Sequence, residues 1–122
     1  MKSYTDLEQS KKLAEFLSLE SADMYYHKNT KGDFVEYPHF NAEYKSMVDR
    51  DINYNDEVIP CWSLAALFSV LTENKICHYD DRYYCQYISE GGEFPTYSTD
   101  EYDNPVDACY EMIIHLNELN LL

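Results

Sequence analysis

Read from its apolar positions, the chain begins with a period near 3.6. In "YTDLEQSKKLAEFLSL", Leu7, Ala14 and Leu17 recur at helical spacing, joined by Leu13 and Phe16, while Lys11 and Lys12 take the outer face. Thr5 followed by Glu8 has the form of a capping box, in which side chain and backbone satisfy each other's free donors. The pattern predicts an amphipathic helix of about four turns. After Ser21 the texture becomes aromatic and alternating: "ADMYYHKNTKGDFVEYPHF" places two such runs around Asn29-Thr30-Lys31-Gly32. That reads as a hairpin whose turn needs glycine, with Pro38 restricting the second run to a sheet edge. Residues 41–58 are polar and read as a loop with a short helix.

The most apolar run is "IPCWSLAALFSVLTENK". Pro60 suits a first helical turn, where its missing N–H costs nothing. Trp62, Leu64, Ala65, Ala66, Leu67, Phe68, Val70 and Leu71 leave almost no polar face, which predicts a helix buried on nearly all sides. "RYYCQYISEGGEFPTYST" predicts two strands around Gly91-Gly92. Asn104, Pro105 and Asp107 then open a last helix with Val106, Cys109, Ile113 and Leu116 inward and Met112 beside them. The expected fold is one α+β domain over residues 1–122. Its order is helix, hairpin, helix, hairpin, helix, with two or three helices packed on a small antiparallel sheet.

Composition supports a folded chain: 45% of the 122 residues are hydrophobic and 16% aromatic, too many for a disordered segment. The net charge of −14 is unevenly spread. Residues 1–78 carry thirteen acids and eight bases, whereas residues 79–122 carry ten acids and only Arg82. Phosphate backbones and anionic membranes bind through Lys and Arg, so direct nucleic-acid and membrane binding are not expected. The field favours cations or a basic protein partner. No apolar run approaches the roughly 20 residues that span a bilayer. The start lacks a signal-peptide core, and Cys61, Cys77, Cys85 and Cys109 form no CxxC. A cytoplasmic location with free thiols is expected.

Four constellations carry possible chemistry. In "DRDINYNDE", Asp49, Asp51, Asn53 and Asn55 alternate like the first oxygen ligands of a calcium loop. The glycine position is Tyr54, however, and the closing bidentate Glu position is Pro60, which leaves calcium under-coordinated. Cys77-His78 with Cys85, or His27 with His39, could ligate a transition metal, although no standard zinc spacing is present. Cys61 and Cys109 stand at expected helix starts, where a thiol can be acidified in principle, but core packing is the expected role for each. No nucleophile elbow, HExxH, P-loop or GxGxxG occurs, and three glycines exclude a glycine-cradled phosphate site. No enzymatic activity and no cofactor are expected.

The fourth constellation combines tyrosine with acid. Thirteen tyrosines are present, many beside carboxylates, and tyrosine is enriched at interfaces. Tyr79, Asp80 and Asp81, together with Asp100, Glu101, Tyr102 and Asp103, form the candidate partner-binding face. Acids there would steer a basic partner inward. Acids around the start of the last helix also complement its dipole, which accounts for about half of them without any function.

With "ESADMYY", "IPCWSLAALFSVL" and "DNPVDACYEMIIHLNEL" in view, the chain resembles small uncharacterised proteins of phages, prophages and mobile elements of gut bacteria. The likeness runs along its whole length, and "PCWSLAALFSVL" and "NPVDACYEMI" are its specific blocks. The second half is also loosely similar in architecture to phage ABA-sandwich domains. These families carry no assigned activity, cofactor or catalytic residue, so the resemblance implies only a setting, a phage-related product in a bacterial cytoplasm. The expected function is a non-catalytic binding protein for a basic host or phage protein, and imitation of nucleic-acid charge is one form of that role. A metal-binding module around residues 49–57 and a homo-oligomeric structural component are the alternatives.

Overall fold

A computed structural model describes residues 1–29, 31–40, 58–71, 74–88 and 96–122, with residues 74–79 described by backbone only. The described elements are α1 (Leu7–Leu13), a 3₁₀ turn (Leu19–Ser21), β1 (Met24–His27), β2 (His39–Phe40), β3 (Val58–Cys61), α2 (Leu64–Val70), β4 (Asn74–Tyr79), β5 (Arg82–Tyr87), β6 (Tyr97–Ser98) and α3 (Pro105–Glu118). The α+β class holds. The strands form two three-stranded antiparallel sheets, ordered β2-β1-β3 and β4-β5-β6, where one small sheet was expected.

Two corrections concern the first half. Helix α1 is seven residues long, not four turns, and its cap is Asp6 rather than Thr5. The Asp6 carboxylate accepts from the Gln9 amide at 2.8 Å, and the Gln9 side chain returns the bond to the Asp6 N–H at 3.1 Å. Thr5 is fully buried instead. Its hydroxyl bonds Ser10 Oγ at 2.8 Å and accepts from the Trp62 N–H at 3.1 Å, while its carbonyl accepts from Tyr26 Oη at 2.8 Å. A polar residue there knits the N-terminal segment to β1 and β3.

The second correction is Pro60, which lies within β3 opposite Tyr25 and not in a helix. β3 is an outer strand of its sheet, where proline's missing donor is tolerated, and all four of its residues are buried. Burial on both faces removes the alternation that betrays most strands. The helix starts later, capped by Ser63, whose hydroxyl accepts from the Ala66 N–H at 3.2 Å. Asp23 in turn accepts from the Ser63 N–H at 2.9 Å and from its hydroxyl. Nor is α2 buried on all sides: Ala66 and Leu67 face inward, while Phe68 is 44% exposed.

After β1 the chain turns back, with the Gly32 N–H donating to the Asn29 carbonyl at 3.0 Å. Gly32 has φ 86°, and the Asn29 side chain accepts from the Lys31 and Asp33 amides at 2.9 and 3.1 Å. β2 follows Pro38 and is a sheet edge. The main core joins Leu13, Trp62 and Leu67 to Val106, Cys109, Met112, Ile113 and Leu116 of α3. Trp62 is fully buried, and its Nε1–H donates to Ser21 Oγ at 2.9 Å. A second cluster gathers Met24, Tyr26, Ile59 and Cys61.

Candidate functional site

The β4–β5 hairpin turns at Asp80 and Asp81, with Tyr79 paired to Arg82 across it. Asp80 takes φ 52°, a left-handed conformation that aspartate tolerates better than most side chains. Both turn acids are exposed. The second acidic string, Asp100 to Asp103, connects β6 to α3. Its backbone runs beside β5: the Tyr83 N–H donates to the Tyr102 carbonyl at 2.7 Å, and the Tyr102 N–H returns to Tyr83 at 2.8 Å. The Arg82 guanidinium donates to the Glu101 carbonyl at 2.6 Å. Two strings some twenty residues apart therefore meet along one edge.

That edge is braced from α3. Glu111 accepts from Tyr102 Oη at 2.8 Å, from the Asp100 N–H at 3.0 Å and from Tyr97 Oη at 3.3 Å. Burial, then the hydrogen bond to Glu111 and its charge, push the Tyr102 phenol well above the usual tyrosine range. Tyr97 is raised for the same reasons and stacks on His115, ring centres 3.5 Å apart. Sequence reasoning did not single out Glu111, Tyr97 or His115. The available signal was one carboxylate, Glu111, at the flank of an apolar helical stripe. Tyr102 itself is half-buried and committed to Glu111, so it braces the edge rather than offering its hydroxyl outward.

The charges around this edge are uneven. Among the described residues, the ion pairs are Lys2 with Asp6 and Asp107, Lys11 with Glu8, and Lys12 with Glu15. None neutralises Asp80, Asp81, Asp100, Glu101 or Asp103. Helix capping accounts for only part of the acid. Asn104 is the cap, accepting from the Asp107 N–H at 2.9 Å, and its amide donates to Asp103 at 2.8 Å and to Asp107 at 2.8 Å. Asp100 and Glu101 precede the helix, and their carboxylates face solvent.

The metal candidates separate. Residues 49–55 lie outside the described residues. Cys85 stands opposite Ile76 rather than Cys77, and its thiol is 3.9 Å from Cys109 in the core. Cys61 and Cys109 are core residues, as expected, and neither thiol is acidified. Cys61 lies on β3, and burial pushes its thiol up. The hydrogen bond from Cys85, together with burial, does the same to Cys109. Cys61, Cys85 and Cys109 are core side chains with no measurable exposure. His27 and His39, in contrast, are brought together, their ring centres 4.8 Å apart. Among the described residues, no group of three or more His, Cys, Asp or Glu converges as a metal shell, and no helix is long and apolar enough to cross a membrane.

Comparison with protein-family models, curated proteins and solved structures gives no significant match. The functional reading therefore rests on the residues of this chain.

Proposed function

We propose that the protein is a non-catalytic binding module whose acidic edge, Asp80–Asp81 with Asp100–Asp103, engages a basic protein partner. The observation that carries this is the pairing of Tyr83 with Tyr102, which joins the two acidic strings while leaving their carboxylates without a counter-ion among the described residues. Uncompensated carboxylates on a braced backbone keep a fixed spacing, and a fixed array of charge favours electrostatic steering of a cationic surface. The same array could stand in for a run of phosphates, which is the form a nucleic-acid charge mimic would take. Origin in a phage or prophage, and work in a bacterial cytoplasm, belong to the same proposal and are supported by the resemblance of the "PCWSLAALFSVL" and "NPVDACYEMI" blocks.

The test is capture from bacterial lysate with the wild-type chain and with the variant Asp80→Asn, Asp81→Asn, Asp100→Asn, Glu101→Gln, at low salt and at roughly 0.5 M, where screening shortens to a few ångströms. A basic protein retained by the wild type alone, and released by salt, is the expected result. Equal capture by both proteins, or capture of nothing, would remove the reading.

A further inference from the structure

His27 and His39 lie on neighbouring antiparallel strands, β1 and β2, with Tyr25 directly opposite His39 and His27 on its diagonal. Their ring centres are 4.8 Å apart and their planes tilt by 34°. Two imidazoles that ligate one ion through nitrogen at ~2.1 Å place their ring centres about 3.2 Å from it. At the ~90–110° angles of tetrahedral or square-based coordination, the two centres are then about 4.5–5.2 Å apart. The observed separation falls inside that window before any ion is added.

The hydrogen bonding of His27 points the same way. His27 Nδ1 lies 3.0 Å from the Lys28 carbonyl. A carbonyl only accepts, so the neutral ring carries its proton on Nδ1 and leaves the Nε2 lone pair free, the arrangement that outer hydrogen bonds impose on metal-ligating histidines. The Tyr25 ring, almost fully buried, packs beside both imidazoles at 5.7 Å from His39 and 6.0 Å from His27. It limits the rotamers of the pair. Lys28, next to His27 in the sequence, is directed elsewhere: its Nζ sits 5.6 Å from the Phe34 ring centre. Both histidines reach solvent, so water can complete a coordination sphere, and a net charge of −14 raises the local concentration of cations.

We infer that His27 and His39 form a cross-strand two-histidine site for a divalent transition ion of the zinc, nickel or copper class, with water in the remaining positions. Imidazole suits these ions, whereas calcium and magnesium take oxygen ligands. The site is separate from the acidic edge and does not depend on its role.

Titration of the full chain with Zn²⁺, followed by calorimetry and by the histidine ring signals in NMR, tests the assignment. Saturable binding of one ion is expected, with the shifted ring signals confined to His27 and His39. Each of His27→Ala and His39→Ala should weaken it by about 10-fold or more, as loss of a ligand must exceed the effect of losing an outer-shell partner. His39 is exposed, so H39A retains the fold, which its thermal melt checks; His115→Ala, on α3, is the control that leaves binding unchanged. No binding by the wild type, or unchanged binding by H39A, overturns the site. Equal histidine shifts with Ca²⁺ and Zn²⁺ would also overturn it, because they would show the rings responding to bulk charge rather than ligating.

Discussion

Lys2 Nζ lies 2.7 Å from Asp107 Oδ1, joining residues 105 positions apart and tying the N-terminal segment to the first turn of α3. Gln9 Nε2 donates to the same oxygen at 2.8 Å, and Asn104 to the other at 2.8 Å. Burial alone would raise the Asp107 carboxyl. Hydrogen bonds from Lys2, Asn104 and Gln9, with the charge of Lys2, outweigh it and hold the group below its ordinary 3.8.

The pH dependence follows from that sign. A carboxyl depressed in the folded state contributes stability that is fully present above its unfolded value and is lost as pH falls through the folded one. Asp107→Asn is expected to cost about 1–2 kcal/mol at neutral pH. Urea denaturation should show the gap between wild type and variant closing as pH drops below 3.8. For Lys2, burial works against the charge, but its bonds to Asp107 and Asp6 raise it above 10.5. Its contribution is therefore present below 10.5 and fades only as pH rises beyond it.

The cap correction separates three neighbouring side chains. Thr5→Val keeps the shape but strands the Trp62 N–H and takes one partner from the Ser10 hydroxyl, at an expected cost of about 1–3 kcal/mol. Asp6→Ala removes the cap, at about 0.5–2 kcal/mol. Glu8→Ala should stay within about 0.5 kcal/mol, since Glu8 is exposed and, among the described residues, pairs only with Lys11, at 3.9 Å. Chemical denaturation of the three variants checks the order; a capping box at Thr5–Glu8 would make Glu8→Ala costly as well.

Glu111→Ala takes the acceptor from two phenols and the Asp100 amide. A loss of about 1–3 kcal/mol is expected. The more specific readout is phenol ionisation followed by ultraviolet absorbance: Tyr102 should ionise at lower pH than in the wild type, towards the ordinary 10.0, because the neighbouring negative charge is gone while burial remains.

Thiol labelling gives a fourth check. Cys61, Cys85 and Cys109 are buried, and Cys61 and Cys109 are also raised away from the reactive thiolate. Peptide mapping after maleimide treatment should find these three unmodified in the native protein and modified in denaturant.

What could be read in advance was whatever one short stretch specifies by itself. Asn104, Pro105 and Asp107 place cap, first turn and dipole partner within four residues, and α3 starts where they say. The Asn29–Gly32 turn was legible for the same reason. Pro60 misled because its tolerance in β3 depends on Tyr25 as its partner and on an outer position in the sheet, neither visible locally. β4 went unrecognised because its pairing with β5 crosses a turn made by two aspartates instead of glycine. At the candidate site, the acids were evident as composition. Their meeting through Tyr83 and Tyr102, and the brace at Glu111, depend on contacts between separate elements.

Helix α3 supplies six of the fully or almost fully buried core side chains, and its first turn receives the clasp from Lys2. It is also the last of these elements to emerge during translation. Until it arrives, Trp62 and Leu67 have no lid, so a nascent chain stalled before Pro105 would display an oily, unclosed surface and be a substrate for chaperones rather than a smaller working protein.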